Sequence, residues 1–350
     1  MSSAQVAPLK FQRSTAQPRN SSFEPNDWEV LSRYWHPVAF AAEIQDKPFS
    51  ATLLDERLVV FRSNGQLIAA RDVCPHRGAP LSQGWVENGN LVCPYHGLEY
   101  SGDGKCRHIP SQSGPIPDRL HLTTYATQEA YGLVWVSLGG GELPLADFPL
   151  WNEPGFQQIL PPFIDIKASA GRQTEGFIDV AHFAWIHHES FADRQNPVVP
   201  QYTVTRRENG FQAMYESTVS NFPKSMQHRA PEGFIWKRTF DVEAPFFARL
   251  TVQFPEGGKL GILNAASPVS AKLTRLFVPI VLNFDTDLPV EDVYAFNLQV
   301  FEEDRGIVEL QCPEDIPLDR ADEAPILADR SSGAYRRALT EIGLGKVYAR

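Results

Sequence analysis

Two closely spaced pairs of cysteine and histidine are the residues of this chain best suited to bind metal. The first pair has the pattern Cys74-x-His76 and the second has the pattern Cys93-x2-His96, with 16 residues between His76 and Cys93. Two thiolates and two imidazoles are the ligand set of a Rieske [2Fe–2S] centre, in which the thiolates hold one iron and the imidazoles hold the other. A glycine follows each pair closely, as expected of two loops that close over one cluster.

A tetrahedral zinc site is the competing interpretation of these four residues. Zinc motifs normally pair cysteine with cysteine and histidine with histidine, whereas each half of this pattern carries one of each. The pattern therefore favours the Rieske centre. The two other cysteines, Cys106 and Cys312, have no comparable partner spacing and are interpreted as plain buried thiols.

A second group of candidate ligands lies in residues 175–188, EGFIDVAHFAWIHH. Two histidines and one carboxylate, with open positions, suit an Fe(II) ion that must bind and activate O2. His182 and His187 are the predicted imidazole ligands. They lie about 140° apart on an ideal helix, so both can face one ion only where the helix widens or ends. His188 remains an alternative ligand, and an amphipathic helix with structural histidines remains the alternative without a metal.

The carboxylate ligand is predicted on a helix at 290–311. Asp304 shares one face of this helix with apolar residues three and four positions away on either side. Glu302 and Glu303 are predicted to point away from the centre of that face. Because a lone acid on an apolar face is costly unless it is paired or binds a metal, Asp304 is the candidate ligand. A surface helix with an acidic run is the alternative interpretation.

The elements that position the cysteine–histidine pairs are predicted to be short strands. A helix at 27–36, capped by Asn26 or Asp27, comes first. Strands at 57–62 and 66–71 then flank Asn64-Gly65, and Asn-Gly is a strong hairpin signal. The pattern predicts an all-β domain around the pairs.

The elements that position the second group are predicted to be longer. A glycine- and proline-rich segment at 139–155 marks the domain boundary. Helices beyond it, with strand-like runs at 201–284 between them, predict an α+β arrangement. The predicted domains are a disordered tail (1–25), an all-β domain with an N-terminal helix (26–140) and a catalytic domain (141–350).

Composition excludes several classes of partner. The chain has 350 residues, 43% hydrophobic and 21% charged, with a formal net charge of −10. An acidic balance argues against nucleic acid and against anionic membranes, because both recruit basic surfaces. The first 25 residues lack the apolar core of a signal peptide. With only four cysteines, no disulfide framework is expected, and a cytoplasmic location is predicted.

Together the motifs resemble those of the oxygenase (alpha) subunits of Rieske non-haem iron oxygenases, in the same order along nearly the whole chain. The four motifs are Cys74-x-His76, Cys93-x2-His96, Asp179-x2-His182-x4-His187 and Phe301-Glu-Glu-Asp304. Within that family the chain is most similar to the branch of vanillate, dicamba and caffeine-type demethylases. One departure is Glu175, which stands four residues before Asp179 where many members carry an asparagine; its role is left open.

The resemblance implies a fold and an assembly. An all-β Rieske domain would be inserted in a helix-grip catalytic domain with a curved antiparallel sheet. Three chains would form a head-to-tail homotrimer, so that the cluster of one subunit lies close to the iron of the next. Asp179 would then link a cluster histidine, His96, to His182, which makes it the predicted catalytic residue between the two centres.

The resemblance also implies an activity. No nucleotide-binding G-x-G-x-x-G after a strand is present, so electrons are expected from a separate reductase with flavin and ferredoxin-type centres. With O2, the chain would monooxygenate a small aromatic or heterocyclic substrate, and O- or N-demethylation is the leading expectation. Hydroxylation of a ring or alkaloid carbon is the alternative within the family. A Rieske electron carrier without catalysis is the alternative from another class.

Overall fold

The computed structural model describes residues 16–319 and 322–345, and these fall into two compact units that divide between Leu145 and Ala146. The division lies in the glycine- and proline-rich segment at 139–155. The two units are consecutive along the chain, so the domain order is sequential where an insertion was expected. Helices and antiparallel sheets are both present, which confirms the predicted α+β class.

Residues 16–145, the described part of the first unit, contain one α-helix and two antiparallel sheets. A six-stranded sheet has the order β1-β10-β9-β4-β3-β2, and a four-stranded sheet has the order β5-β6-β7-β8. The elements are α1 (Pro25–Ser32), β1 (His36–Phe40), β2 (Phe49–Leu53), β3 (Glu56–Ser63), β4 (Gln66–Arg71), β5 (Trp85–Glu87), β6 (Asn90–Val92), β7 (Glu99–Tyr100), β8 (Cys106–His108), β9 (Thr124–Ala130) and β10 (Leu133–Ser137).

Two Asn-Gly turns shape these sheets. Asn64 and Gly65 have φ values of 50° and 83° between β3 and β4, as the predicted hairpin requires. Asn88 and Gly89 have φ values of 51° and 77° between β5 and β6. Positive φ at both central residues gives the turn a twist that matches the flanking strands. The second turn lies between the two cysteine–histidine pairs and brings them to the same small sheet.

The N-terminal helix belongs to the first unit, which explains the sequential domain order. The indole nitrogen of Trp28 donates a hydrogen bond to the Leu54 carbonyl at 3.0 Å. The helix begins at Pro25, earlier than the predicted caps at Asn26 or Asp27, because proline suits a first helical turn whose N–H groups are unpaired. Ser22 donates to Asp55 at 2.7 and 2.8 Å, so order begins before residue 26. Residues 1–15 of the predicted tail lie outside the described residues.

The second unit packs helices on one large antiparallel sheet. The main strand order is β11-β19-β17-β16-β15-β14-β13, with β18 pairing both β17 and β12. The elements are β11 (Gln157–Ile159), β12 (Ile164–Ile166), α2 (Ala170–Ile178), α3 (Phe183–Ile186), β13 (Thr203–Arg207), β14 (Gly210–Ser217), β15 (Trp236–Glu243), β16 (Phe247–Gln253), β17 (Lys259–Ser270), β18 (Leu273–Phe277), β19 (Ile280–Leu282), α4 (Val290–Val308) and α5 (Arg330–Glu341).

Side chains anchor the helices of the second unit to its sheet. Gln173 of α2 donates to Asn264 of β17 at 3.2 Å, and both side chains are buried. The Tyr335 hydroxyl of α5 donates to the Pro245 carbonyl at 2.6 Å. These contacts fix α2 and α5 on the sheet. No helix in the described part of the chain is both long enough and apolar enough to cross a membrane.

Candidate metal centres

The two cysteine–histidine pairs lie in two loops with the same backbone hydrogen bonds. In the first loop Cys74 N–H donates to the Ala79 carbonyl at 2.8 Å, and Gly78 N–H donates to Cys74 at 2.9 Å. In the second loop Cys93 N–H donates to Leu98 at 2.9 Å, and Gly97 N–H donates to Cys93 at 3.0 Å. Both glycines have positive φ, 75° and 69°, which other residues rarely adopt. The repeated geometry makes two matching halves of one site.

The four candidate ligands are divided between the interior and the surface. Cys74 and Cys93 are only 2% and 1% exposed, whereas His76 and His96 are exposed, with ring centroids 4.6 Å apart. Burial, together with the neighbouring Cys74, raises the pKa of the Cys93 thiol. Two adjacent buried sulfurs backed by two converging imidazoles are the donor set of a Rieske [2Fe–2S] cluster, and these residues fit that group.

Two further residues lie beside the cluster site. The Tyr100 hydroxyl lies 3.3 Å from the Cys74 sulfur, and both groups are buried. Cys106 is also buried here, with its sulfur 3.4 Å from the His108 carbonyl, as expected of a plain thiol. Cys312 is exposed, so the expectation that it is buried is wrong.

An interrupted helix brings the second group of candidate ligands together. The helical segment expected around these residues is divided into two helices, because α2 ends at Ile178 and Asp179 is extended, with φ −74° and ψ 139°. His182 immediately precedes the short helix α3, and His187 immediately follows it. His182 and His187 thus flank one short helix that ends at His187, which meets the requirement that the helix widen or end there, and both rings point to one place.

Three donor atoms converge at that place. The Nε2 atoms of His182 and His187 are 3.0 Å apart, and Asp304 Oδ1 lies 3.4 Å from the first and 3.1 Å from the second. Among the described residues, these form the only group of three or more histidine, cysteine or carboxylate side chains whose donor atoms all lie within 4.8 Å of one another. Donor atoms that each bind one ion at about 2.1 Å lie about this far from one another. The residues fit a mononuclear iron with a 2-His-1-carboxylate ligand set.

His188 makes other contacts. Its Nδ1 lies 2.8 Å from the Trp185 carbonyl, and its Nε2 lies 3.0 Å from Glu189. Both ring nitrogens are therefore engaged away from the three converging atoms. The structure favours His182 and His187 over His188 as the imidazole pair.

Asp179 contacts the back of the His182 ring. Its Oδ2 lies 3.2 Å from His182 Nδ1, and its Oδ1 accepts a hydrogen bond from Ala181 N–H at 2.8 Å. Although burial opposes ionisation, the hydrogen bond and charge of His182 hold the pKa of Asp179 below its ordinary value. Although burial disfavours a charged ring, Asp179 and Asp304 raise the pKa of His182. The local field therefore favours positive charge at this site, as a cation-binding site requires.

The neighbours of Asp304 on α4 differ from one another. Glu302 points away, as predicted, and pairs with Arg305 at 2.5 Å. The prediction that Glu303 also points away is wrong, because its Oε2 lies 2.8 Å from His187 Nδ1. Positions 303 and 304 differ by about 100° around the helix. The side chain of glutamate is longer than that of aspartate, so Glu303 reaches the Nδ1 edge of the His187 ring while Asp304 faces the Nε2 edge. Spacing along the chain carries no signal of this contact.

Glu175 belongs to a charge cluster rather than to the converging group. It accepts two hydrogen bonds from Arg336 of α5, at 2.7 and 2.8 Å, and lies 3.5 Å from Arg172. Glu323 bonds to both arginines, at 2.7 and 2.5 Å. The cluster borders a cavity of about 930 Å³ that Asp179 also lines. Glu175 therefore ties α2 to α5 beside Asp179.

Comparison with known proteins identifies the class. Residues 34–126 match the Rieske [2Fe-2S] domain family, and residues 166–343 match the vanillate O-demethylase oxygenase C-terminal domain family. The chain is 32% identical to methylxanthine N1-demethylase NdmA of Pseudomonas putida, over 90% of each chain. It is 30% identical to a vanillate O-demethylase oxygenase subunit of Pseudomonas sp., over 53% of each chain. The structure of P. putida CBB5 NdmA with caffeine superposes with a TM-score of 0.80 at 30% identity, covering 90% of this chain and 92% of that one.

The chain belongs to the Rieske non-haem iron oxygenases, in the group that contains these demethylases. It is an oxidoreductase with a [2Fe–2S] Rieske cluster and a mononuclear iron. Oxygenase components of this family use O2 and small substrates and rely on a separate reductase. The match to a catalytic domain excludes the alternative of an electron carrier without catalysis.

Proposed function

We propose that this enzyme monooxygenates a methyl group of a small aromatic or heterocyclic substrate, so that the methyl leaves as formaldehyde. The observation that carries the proposal is the convergence of His182, His187 and Asp304 within 3.0–3.4 Å of one another. The similarity to an N1-demethylase and to an O-demethylase supports loss of a methyl from nitrogen or oxygen. A C–H bond would become C–OH, and the resulting hydroxymethyl group would collapse to formaldehyde and the N–H or O–H product.

The proposed assignment of the metal ligands follows the geometry. Cys74, His76, Cys93 and His96 would hold the cluster, and His182, His187 and Asp304 would hold the iron. When bound, the iron supplies the activation of O2. One carboxylate and two neutral imidazoles leave an Fe(II) site with net positive charge and open positions. The two units would accordingly be the Rieske domain and the catalytic domain.

The protein contributes binding and exclusion of water. Asn297 and Phe301 precede Asp304 by two turns and one turn on α4, and both are buried. Their shared face would meet the substrate, with Asn297 as a polar anchor whose amide donates to the Val293 carbonyl at 2.8 Å. Phe183 and Phe191, 5.6 Å apart, pack around His187 and keep solvent from the ring.

Two arginines on the sheet of the second unit, Arg249 of β16 and Arg275 of β18, have partners within the protein. Arg249 donates to the Asp147 carbonyl and lies 3.6 Å from Glu243. Arg275 forms a bidentate pair with Asp165, at 2.8 Å for both bonds. Both guanidiniums are therefore paired with carboxylates of the protein.

Turnover with a surrogate reductase tests this proposal. Purified enzyme with both centres loaded would be given NADH, a flavin and ferredoxin-type reductase, O2 and a panel of N-methyl heterocycles and methoxylated aromatic acids. We expect formaldehyde and demethylated product in equal amounts from at least one substrate. A product that keeps its methyl and gains a hydroxyl would support the hydroxylase alternative. Asp304→Ala serves as the inactive control.

We also propose a head-to-tail homotrimer in the cytoplasm, with electrons that pass from His96 of one subunit to Asp179 of the next. Support comes from Asp179, whose side chain is 27% exposed and lines the 930 Å³ cavity while it bonds to His182. A group from another subunit could reach Asp179 through this cavity. All four cysteines are free of disulfides, in keeping with a reducing compartment.

Mixed trimers test the assembly. Cys93→Ala subunits would lack a cluster, and Asp304→Ala subunits would lack the iron. Every mixed ring would contain one junction where an intact cluster faces an intact iron. Random one-to-one mixing should therefore restore about a quarter of normal activity, because about three quarters of rings are mixed and one site of three works in each. No recovery in rings shown by mass to be mixed would exclude transfer between subunits.

A further inference from the structure

Glu303 sits behind His187 in the position of a second carboxylate–histidine pair. Its Oε2 lies 2.8 Å from His187 Nδ1, a shorter distance than the 3.2 Å between Asp179 and His182. The two residues are 116 positions apart in the chain and meet only because α4 packs beside α3. Both candidate imidazole ligands therefore have a carboxylate at Nδ1.

The contact determines which nitrogen of His187 can bind a metal. A carboxylate accepts, so Nδ1 carries the proton and Nε2 presents its lone pair. That lone pair points to the place where His182 Nε2 and Asp304 Oδ1 lie, at 3.0 and 3.1 Å. Because Glu303 lies on the opposite edge of the ring from Nε2, it cannot ligate the same ion. Its role is to orient a ligand.

Glu303 is itself held in place. The Ser190 hydroxyl donates to its Oε2 at 2.7 Å, and the Gln299 amide donates to its Oε1 at 3.0 Å. Ser190 lies close to the His187 carbonyl as well, at 3.3 Å, and the Phe191 ring stacks on the His187 ring at 4.8 Å. The carboxylate and the imidazole are thus fixed relative to each other.

We propose that Glu303 is a positioning residue that fixes His187 in the tautomer and orientation needed for metal binding, with Ser190 and Gln299 as its supports. The inference rests on the proposed ligand set. Outer carboxylate partners of this kind orient the ring and raise the basicity of its ligating nitrogen. Removing Glu303 should therefore weaken metal binding without removing a ligand.

Metal titration of the full-length protein tests the inference. The mononuclear site would be emptied with a chelator while the cluster stays loaded, as its absorbance shows, and Co(II) would be titrated by calorimetry. We expect Glu303→Gln to raise the Kd for Co(II) about 10-fold and Glu303→Ala up to about 100-fold. The matched control is Glu302→Gln, whose exposed carboxylate contacts only Arg305 among the described residues and should change the Kd less than about twofold.

Further variants separate the failure of this inference from that of the ligand assignment. His187→Ala should abolish stoichiometric Co(II) binding; if it does not, the ligand set itself is wrong. If His187→Ala loses Co(II) but Glu303→Ala binds as tightly as wild type, Glu303 has no positioning role. A weakening of equal size in Glu302→Gln, with a lower melting temperature, would also overturn the inference. If Glu303→Ala does not fold, Ser190→Ala decides instead, with a several-fold rise in Kd expected.

Discussion

The two metal centres are built in opposite ways. The candidate cluster ligands all lie between Cys74 and His96, in two loops with the same hydrogen bonds. The candidate iron ligands span His182 to Asp304, and they meet only because a helix is interrupted and α4 packs beside it. A centre made of short loops depends on local turns, whereas a centre made of distant elements depends on the packing of a whole domain. The two centres should respond to mutation separately.

The largest expected effect is independent loss of each centre. Cys93→Ala should remove the cluster absorbance and the Rieske EPR signal, because one of two thiolates is gone, yet keep the mononuclear metal. Asp304→Ala should do the reverse, because the only anionic ligand is gone. Metal analysis and EPR on both variants check this, and either variant should abolish turnover. Loss of both centres in either variant would show that they are coupled in folding.

The next largest effect concerns the residue proposed to join the two centres. Asp179→Asn should retain both metals but lower turnover about 10- to 100-fold, because His182 loses its charged partner and the electron path is weakened. Single-turnover assays with a pre-reduced cluster, followed at its visible absorbance, measure the rate of cluster oxidation. An unchanged rate of cluster oxidation would show that Asp179 does not lie on the electron path between the two centres.

A smaller effect is expected at the cluster alone. The Tyr100 hydroxyl lies 3.3 Å from the Cys74 sulfur, and once that sulfur is a thiolate ligand the hydroxyl would donate to it and stabilise the more negative reduced cluster. Tyr100→Phe should lower the reduction potential by about 20–60 mV, the equivalent of one hydrogen bond of about 0.5–1.5 kcal/mol. Protein-film voltammetry gives the value. The iron content should stay the same, and a potential equal to that of the wild type would contradict the contact.

The smallest expected effect concerns how the free energy of unfolding depends on pH. One buried group in each unit contributes to it, and the two contributions have opposite sign. Burial lowers the pKa of His36 in the first unit to about 4 and raises that of Asp315 in the second to about 6. His36 resists protonation in the folded protein but not in the unfolded one. Its contribution to the free energy of unfolding is therefore present above pH 6.5 and is lost as the pH falls towards 4. Asp315 stays protonated to a higher pH in the folded protein than in the unfolded one. Its contribution to the free energy of unfolding therefore falls as the pH rises from 4 to 6.

Asp315→Asn isolates the second of these contributions. Its Oδ1 has no hydrogen-bond partner among the described residues, so the charged form gains little from its surroundings. The variant should raise the melting temperature by about 2–4 °C at pH 7.5, and by less at pH 5. Calorimetry at both values checks the trend, with Asp322→Asn, an exposed acid of the same unit that is not among the charges acting on Asp315, as the control. A gain that is larger at pH 5 would mean that the sign is wrong.

The features that the sequence determined by itself are those encoded by neighbouring residues. The Asn64-Gly65 hairpin and the two matching loops that begin at Cys74 and Cys93 each depend on a few consecutive positions. The need for the helix to widen or end near His182 and His187 also follows from helix geometry alone. These parts of the fold and site could be predicted because the backbone has few conformations available to such short patterns.

Other features were decided only by the tertiary structure. The contact between Glu303 and His187 crosses 116 positions, and helix-face reasoning assigned Glu303 to the wrong side because it ignored the length of the side chain. Glu175 had no assignable role until α5 brought Arg336 to it. The choice between His187 and His188 likewise depended on which ring nitrogens had other partners. Hydrogen bonds between distant elements leave no spacing pattern in the chain, so packing alone decides them.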